Sequence, residues 1–207
     1  AKEKILILGG GFGGIKAALT LLESEYYQIT LVSDDDEMKY YPTLYHTATG
    51  GKRANSSIKL SDIFAGKNIE IIVGSAKTID RKAKAIKLTN HLDINFDYLI
   101  IGLGVVTNYF GIPGLPEYAY SIKSQSEVWR FKRHLHQQII DESKPDLHYV
   151  IVGAGPTGIE LAGALPAYIK RILHLHGMQD RGYHVDLIEA QKQVLPLLNK
   201  KIAKKAS

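Results

Sequence analysis

The chain has 207 residues, of which 45% are hydrophobic, and it carries a formal net charge of +5 with no cysteine. This composition permits one large or two small domains, and it excludes a disulfide scaffold and any cysteine-ligated metal within these residues. Because the chain has no apolar run of about 18 residues and no signal-peptide pattern, we expect neither a transmembrane helix nor a signal peptide. The basic charge predicts solvated faces, with attraction to an anionic membrane surface as the alternative.

The start of the chain predicts a strand, a glycine-rich turn, a helix and a second strand. The apolar run Lys4–Leu8 is typical of a strand that is buried on both faces of a parallel sheet. The glycine-rich turn covers Gly9–Gly14, and the second strand is predicted over Gln28–Val32. Between them, apolar residues recur at helical spacing: Ile15, Ala18, Leu19 and Leu22.

The glycine-rich turn matches the pattern G-x-G-x-x-G, with Phe12 and Gly13 at its last two variable positions. Gly9 permits the tight turn, Gly11 lets the backbone approach a pyrophosphate, and Gly14 lets the helix pack closely on the strand. The phosphates would then lie at the helix N-terminus, where free N–H groups and the helix dipole favour anions. A ligand-free glycine turn is the alternative, and the flanking strand and helix favour a dinucleotide.

The end of the second strand is where such a unit usually carries an acidic residue that holds the ribose hydroxyls. This chain has Ser33 there, followed by Asp34, Asp35 and Asp36. We expect Asp34 to be the ribose carboxylate and Ser33 to make a weaker hydrogen bond. Asp35 and Asp36 are predicted to lie in a solvated turn.

The middle of the chain predicts one long loop followed by short strands. Residues 34–57 show little periodicity, and their aromatic side chains predict an ordered, functional loop rather than disorder. A buried strand is predicted over Ile69–Val73, a hairpin over Lys77–Leu88 and a further buried strand over Phe96–Ile101.

A domain boundary and a helix follow. The turn residues of Gly111–Pro116 place the boundary, which gives predicted domains over residues 1–115 and 116–207. Ser124 and Glu127 form a capping-box pattern that predicts the start of a helix. The residues expected on the buried face of this helix are Val128, Phe131, Leu135 and Ile139, and its segment is expected to end at Pro145 and Asp146.

A second series of strand, turn, helix and strand repeats the first. The strands are predicted over Tyr149–Val152 and Tyr183–Glu189, and the helix over Ile159–Leu173. Pro166 lies inside the helical pattern, and we expect it to kink or split the helix. The turn again matches G-x-G-x-x-G, and its residues predicted to bind a dinucleotide are Gly153, Gly155, Pro156, Thr157 and Gly158.

Glu189 ends the last of these strands, in the position of the ribose acid. A carboxylate there accepts hydrogen bonds from a free 2′-hydroxyl and repels a 2′-phosphate, which favours NADH over NADPH. The interval from Gly158 to Glu189 is longer than usual, so the intervening helix is predicted to be extended. Two such units in one chain indicate one cofactor that remains bound and a second that binds reversibly, as when a bound flavin takes a hydride from NADH.

Two pairs of histidines invite a metal-site interpretation, namely His134 with His136 and His174 with His176. Positions i and i+2 of a helix face different directions, so the members of a pair are poorly placed to share a metal. We therefore predict solvated helix histidines and no metal site.

These motifs resemble the two-dinucleotide-binding flavoproteins of the pyridine nucleotide-disulfide oxidoreductase superfamily, and within it the type II NADH dehydrogenase branch. The segments that carry the resemblance are 4–14, 41–51, 96–114, 150–165 and 185–196. The second flavin-contact strand of the family usually ends in Ala-Thr-Gly or Ala-Leu-Gly, where this chain has Gly102, Leu103 and Gly104. Ser33 is a larger departure, because the family usually has an acid at that position.

The resemblance implies an α/β fold of two Rossmann-like units, with the NADH domain inserted into the FAD domain and the chain truncated at its C-terminus. It implies that Tyr41, Pro42 and Thr43 approach the flavin and that the backbone of Ala76 approaches the adenine. Glu160 matches a family carboxylate near the flavin and the nicotinamide. Its alternative role is that of a first-turn helix residue favoured by the dipole.

The resemblance also implies an FAD-dependent NADH dehydrogenase that passes a hydride from NADH to FAD and electrons on to a quinone. Disulfide reductases of this superfamily carry a redox cysteine pair in the segment that is here Tyr40–Gly51, and relatives that act on sulfide or peroxide need thiols. Because the chain has no cysteine, we expect electrons to leave the flavin directly for a quinone or another diffusible acceptor.

The quinone pocket and any membrane-binding helices are expected beyond Ser207. The resemblance places the protein in the cytoplasm, on the inner face of the cell membrane, as a homodimer and without a nucleic-acid partner. Two alternatives stay open: a soluble NAD(P)H-dependent flavin reductase that serves a small redox protein, and a nucleotide-binding module that senses redox state. An amphipathic or apolar C-terminal segment would favour the quinone reductase, and slow NADH oxidation despite tight FAD binding would favour the sensor.

Overall fold

The computed structural model describes residues 2–141 and 147–206, and it divides into two compact units. The first unit comprises residues 1–40 and 57–106, and the second comprises residues 41–56 and 107–207. The domain boundary predicted after residue 115 stays a prediction, and the predicted segment end at Pro145 and Asp146 lies outside the described residues.

The helices and strands alternate along most of the chain, which confirms the predicted α/β class. In chain order they are β1 (Glu3–Leu8), α1 (Phe12–Leu21), β2 (Tyr27–Ser33), β3 (Glu37–Lys39), α2 (Leu44–Ala48), β4 (Ser57–Lys59), α3 (Leu60–Ile63), β5 (Ile69–Val73), β6 (Ala76–Asp80), β7 (Ala85–Leu88), β8 (Asp93–Asn95), β9 (Tyr98–Ile101), α4 (Leu115–Tyr118), α5 (Gln125–Ile140), β10 (Leu147–Val152), α6 (Pro156–Leu175), β11 (Tyr183–Ile188) and α7 (Lys200–Ala206). Among the described residues, no helix combines the length and the apolar character that crossing a membrane requires.

The first unit is built on a four-stranded parallel sheet with the strand order β5-β2-β1-β9. Alternate residues of β1 enter two different cores. Ile5 and Ile7 pack with Ile15 of α1, while Leu6 and Leu8 pack in a cluster that includes β7. Both faces of β1 are therefore covered, which is why its sequence is a continuous apolar run and not an alternating one.

A three-stranded antiparallel sheet, with the order β6-β7-β8, completes the first unit. It contains the predicted hairpin, and β8 is a third strand that was not predicted, since its three residues are too short and polar to show a pattern. The strand predicted from Phe96 begins instead at Tyr98. Phe96 is buried beside Ile86 and Leu88, so its apolar character reflects packing on this second sheet.

Residues 34–57, predicted as a loop, contain several short elements. β3 pairs with β4 in the first unit, and α2 belongs to the second unit together with two 3-10 turns, Tyr41–Thr43 and Arg53–Asn55. None of these elements exceeds five residues, which is too short for a hydrophobic period to identify them.

The second unit contains the parallel pair β10-β11, covered on one face by α5 and α6. The capping box predicted at the start of α5 is confirmed, because Ser124 Oγ accepts a hydrogen bond from the backbone N–H of Glu127 at 3.2 Å. The Glu127 carboxylate in turn accepts from the backbone N–H of Lys123 at 2.8 Å. The predicted apolar face is also confirmed, since Val128, Leu135 and Ile139 are buried and Phe131 is partly buried against them.

Helix α6 runs through Pro166 without interruption, so the predicted split is wrong, and the alternative of a kink stays a prediction. A proline removes one helical N–H and strains the preceding turn. The apolar side chains on both sides of it are buried, among them Leu165 and Ile169, and this packing holds the helix together. The 20 residues of α6 account for the long interval between Gly158 and Glu189, as predicted.

Candidate functional site

The first glycine loop connects β1 to α1 in a tightly closed turn. Gly9 has a φ of 109°, and its N–H donates to the carbonyl of Val32 at 2.7 Å. A Cβ added at Gly14 would overlap the carbonyl oxygen of Gly9, so only glycine allows α1 to begin this close to the strand. Above the turn the space is open, because a Cβ added at Gly11 or Gly13 would meet nothing within 4 Å.

No side chain caps the start of α1 at Gly11. The first N–H groups of the helix therefore face an open cradle that an anionic group can occupy. Phe12, the first residue of α1, is exposed, and its ring centroid lies 5.7 Å from that of Tyr40. The loop thus has the geometry and the free donors of a pyrophosphate site.

The end of β9 lies directly against this loop. The N–H of Gly102 donates to the carbonyl of Leu8 at 2.7 Å, and a Cβ added at Gly9 would overlap the carbonyl of Gly102. A Cβ at Gly102 would lie 3.1 Å from the backbone nitrogen of Gly14, so an alanine there would need a shift of a few tenths of an ångström. Gly104 has a φ of 73°, and Leu103 is exposed between the two glycines. The structure therefore brings the Gly102–Gly104 segment to the predicted flavin loop.

Ser33 occupies the strand-end position of the ribose acid, but its side chain is buried. Its Oγ accepts a hydrogen bond from the backbone N–H of Asp35 at 3.4 Å and would lie 2.5 Å from a Cβ added at Gly10. The Ser33 hydroxyl therefore lies beneath the glycine loop, on the side away from the open space where a ligand could bind. Asp34 is exposed, with its carboxylate 3.8 Å from Lys39 Nζ, and Lys39 is a neighbour that the sequence pattern did not single out.

Ala76 begins β6, close to the same end of the sheet. The N–H of Gly74, two residues earlier, donates to the carbonyl of Ser33 at 2.7 Å. The residues predicted to surround the adenosine therefore follow β2 and β5, which are neighbouring strands, at their carboxyl ends.

The second loop repeats the geometry of the first. Gly153 has a φ of 101°, and its N–H donates to the carbonyl of Ile188 at 2.8 Å. A Cβ added at Gly158 would overlap the carbonyl of Gly153, whereas one at Gly155 would meet nothing within 4 Å. No side chain caps α6, which begins at Pro156 and exposes Thr157. The second loop thus presents the same open cradle as the first.

Glu189 is joined to this loop by its carboxylate. Oε2 accepts from the backbone N–H of Ala154 at 2.8 Å, and Oε1 accepts from the backbone N–H of Gln191 at 2.9 Å. The hydrogen bonds from Gln191 and Ala154 hold the pKa of Glu189 below its usual range. The group is therefore ionised at neutral pH, as an acceptor for ribose hydroxyls must be.

Glu160 is exposed and is the fifth residue of α6. It lies beyond the first turn of the helix, where the macrodipole acts most strongly. A purely electrostatic role at the helix start therefore explains Glu160 poorly.

Tyr41, Pro42 and Thr43 form a 3-10 turn in the second unit, whereas the first glycine loop belongs to the first unit. The side chains of Tyr41 and Pro42 are exposed. Thr43 Oγ1 donates to the carbonyl of Asn55 at 2.6 Å, and this hydrogen bond links the two ends of segment 41–56. The turn predicted to approach the flavin is thus anchored by residues of the second unit.

The histidines of the two predicted pairs contact residues outside their own pair. His136 and His176 approach across two helices with their Nε2 atoms 3.1 Å apart, while His134 stacks on Tyr120. Over residues 2–141 and 147–206, no group of three or more histidine, aspartate or glutamate side chains is arranged to hold a metal.

Comparison with known proteins places the whole chain in one family. A family model described as pyridine nucleotide-disulphide oxidoreductase matches residues 3–207. The type II NADH:quinone oxidoreductase of Staphylococcus haemolyticus is 27% identical over 209 residues, which cover 96% of this chain and 52% of that protein. The protein of the same name from Staphylococcus aureus is 26% identical over 216 residues, which cover 99% and 53%. The chain therefore spans about half the length of these relatives.

A solved structure shares the fold over the same span. NDH2 from Plasmodium falciparum, determined in complex with NADH, superposes with a TM-score of 0.86 at 24% sequence identity. The match covers 99% of this chain and 45% of that chain. The likeness confirms the arrangement of strands and helices predicted from the two glycine loops.

Proposed function

Because the chain belongs to the pyridine nucleotide-disulphide oxidoreductase family, we propose that it is part of an NADH:quinone oxidoreductase that binds FAD at its first glycine loop and NADH at its second. The observation that carries the proposal is the hydrogen bond from Ala154 to Glu189, which fixes a carboxylate beside the second loop. The staphylococcal relatives are named type II NADH:quinone oxidoreductases, which supports a quinone as the acceptor.

The first loop fits the pyrophosphate and adenosine of FAD. The N–H groups at the start of α1 would hold the phosphates, and the glycine contacts leave the space above them open. Asp34, which is exposed at the end of β2, would accept the ribose hydroxyls, with Lys39 nearby to offset the adjacent carboxylates. The other residues assigned to FAD are Gly9, Gly11, Phe12, Gly13, Gly14, Tyr41, Pro42, Thr43, Ala76, Gly102, Leu103 and Gly104. Ser33, whose hydroxyl is buried beneath the loop, is assigned a supporting place there and no contact with the ribose.

The second loop fits NADH better than NADPH. An ionised Glu189 would accept hydrogen bonds from the 2′- and 3′-hydroxyls and would repel a 2′-phosphate. The residues assigned to the pyrophosphate are Gly153, Gly155, Pro156, Thr157 and Gly158. Glu160 is assigned to the nicotinamide, as the resemblance implies, and its exposure on α6 leaves it accessible to a ligand.

Each cofactor supplies its own part of the chemistry. When both are bound, NADH would deliver a hydride to the flavin, and the flavin would pass the electrons to a quinone. The residues of this chain would bind the two dinucleotides and orient them. The carboxylate of Glu189 would supply the negative charge that discriminates between NADH and NADPH. None of the 207 residues is cysteine, so a redox disulfide within this span is not available to carry the electrons.

We further propose that the protein acts at the inner face of the cell membrane, because quinones partition into lipid. The homodimer implied by the resemblance and the domain boundary after residue 115 also stay predictions.

The proposal is tested by anaerobic titration of the full-length protein loaded with FAD. We expect NADH to bleach the flavin absorbance within the mixing time and a short-chain quinone to restore it. NADPH should bleach it at least tenfold more slowly, because of Glu189. A flavin that stays oxidised in excess NADH would refute the proposal. If a small redox protein reoxidises the flavin and the quinone does not, the electron acceptor is that protein and not a quinone.

A further inference from the structure

The turn Tyr41–Thr43, which the proposed function assigns to the flavin, begins the segment 41–56. Tyr41 and Pro42 are exposed, and Thr43 is held by the hydrogen bond of its hydroxyl to the Asn55 carbonyl. The position of the turn therefore depends on what anchors the rest of segment 41–56.

That anchor is a cluster of three polar side chains, of which Thr47 and Ser56 are buried and Gln125 is partly buried. Thr47 Oγ1 and Ser56 Oγ lie 2.7 Å apart, and Gln125 Nε2 donates to Ser56 Oγ at 2.8 Å. Ser56 is completely inaccessible to solvent and Thr47 is 4% exposed. Thr47 lies on α2, Ser56 closes the segment and Gln125 is the first residue of α5, so the three side chains join elements that are far apart in the sequence.

Two further contacts hold the same segment. Leu44 and Ala48 of α2 pack against Val128 of α5 in a small apolar cluster. Just after α2, Gly50 has a φ of 96° and lies close to α6, because a Cβ added at Gly50 would overlap the guanidinium of Arg171. Segment 41–56 is thus attached to both long helices of the second unit.

Buried hydroxyls and amides are costly unless every one of them is paired, but when paired they admit one geometry only. A satisfied polar cluster at this position therefore specifies the path of the segment more narrowly than apolar contacts do.

We propose that Thr47, Ser56 and Gln125 are positioning residues that set the turn Tyr41–Thr43 for its contact with the flavin. This inference rests on the proposed function, since it takes from it that the turn meets FAD. The effect of the three side chains passes through the backbone of segment 41–56.

The test compares threonine variants in the full-length protein. Thr47→Val keeps the shape of the side chain and removes the hydroxyl, whereas Thr47→Ser keeps the hydroxyl. Thr49→Val is the matched control, because among the described residues the Thr49 hydroxyl bonds to carbonyls of its own helical turn, those of Tyr45 and His46. Each variant is measured for the visible circular dichroism of bound FAD, the FAD and NADH dissociation constants, and the rate of flavin reduction.

We expect Thr47→Val to change the flavin dichroism and to slow flavin reduction about tenfold at an unchanged dissociation constant for NADH. Thr47→Ser should restore both readouts, and Thr49→Val should match the unaltered protein. In the FAD-free protein, Thr47→Val should speed amide hydrogen exchange of residues 43–47. Ser56→Ala should reproduce the spectral change, since it also removes the hydrogen bond between Thr47 and Ser56 and in addition the one from Gln125.

Two results would overturn the inference. One is a Thr47→Val protein that melts at a lower temperature while its flavin dichroism and rate of reduction stay as in the unaltered protein. The other is an equal effect of Thr49→Val. An unaltered protein that binds no flavin would instead refute the proposed function, and that outcome is visible before any variant is compared.

Discussion

At the scale of single residues, the glycines that close each loop leave no room for a side chain. Gly14 and Gly158 occupy equivalent places, and at each of them a Cβ would overlap the carbonyl oxygen of the first glycine of the loop. Backbone atoms cannot turn away as a flexible side chain can, so relief requires the helix to move from the strand. This is why the close approach of helix and strand depends on glycine.

Gly158→Ala should therefore lower the free energy of unfolding by about 2 kcal/mol, as overpacking against fixed atoms does, and should weaken NADH binding. Gly163→Ala is the control on the same helix, because a Cβ there meets nothing within 4 Å. That control should stabilise the protein by about 0.5–1 kcal/mol through helix propensity. Urea unfolding and NADH titration measure both effects, and equal losses in the two variants would contradict the steric explanation.

Glu189 and Ser33 show how residues in equivalent positions come to differ. Each follows the strand residue whose carbonyl accepts the N–H of the first loop glycine, Ile188 in one unit and Val32 in the other. The longer Glu189 side chain reaches the N–H of Ala154 and stays partly exposed, whereas Ser33 is buried against Gly10. The second unit therefore has its charge at the strand end, and the first has it one residue later, at Asp34.

Glu189→Gln should weaken NADH binding about tenfold and reduce the discrimination against NADPH, since the charge that repels a 2′-phosphate is removed. Isothermal titration with both nucleotides measures the change. Asp186→Asn, an exposed change on the same strand, is the control and should leave both affinities as they are. A Glu189→Gln protein that still rejects NADPH as strongly would show that another group selects the nucleotide.

At the scale of elements, the capping box determines where α5 begins. Burial raises the pKa of Glu127, but hydrogen bonds from Ser121, Lys123 and Ser124 outweigh it and lower the pKa overall. A folded-state pKa below the unfolded value means that the carboxylate stabilises the fold above the unfolded pKa. That contribution is lost as the pH falls through the folded value.

Glu127→Gln should therefore cost about 1 kcal/mol at pH 7, the usual scale of a lost helix cap. The difference from the unaltered protein should shrink as the pH falls below about 4, because protonated glutamate and glutamine then resemble each other. Denaturant unfolding at several pH values measures it. A difference that is constant with pH would indicate that packing, and not the charge, holds the cap.

The other elements differ in how far local sequence predicts them. The capping box, the apolar stripe of α5 and both strand–turn–helix units were predictable, because each depends on neighbours within a few residues. The continuity of α6 through Pro166 was not, since it depends on buried contacts that Leu165 and Ile169 make with other elements. Short elements such as α2 and β8 carry too few residues to show a period.

At the scale of the whole molecule, each nucleotide loop has a hydrophobic core of its own beneath it. One core lies under β1 and α1, and the other lies between α5, α6 and the strand pair β10-β11. Ligand binding stabilises the part of a protein that holds the ligand. Each dinucleotide should therefore protect the backbone of its own glycine loop.

In hydrogen exchange of the full-length protein, FAD should slow the amides of residues 9–14 and NADH those of residues 153–158. Gly158→Ala should abolish the second protection and leave the first. Slowing of residues 9–14 by NADH, in protein without FAD, would reverse the assignment of the two loops.

The sequence by itself determined the two glycine loops, the position of Glu189 at the end of its strand and the α/β class. These features depend on the lack of a Cβ at a few glycines and on apolar runs beside them, both of which are local properties. The tertiary structure alone decided that Ser33 is buried and that segment 41–56 is attached to α5 and α6. The hydrogen bond between Ser56 and Gln125 joins residues 69 positions apart, and no local pattern can indicate such a partner.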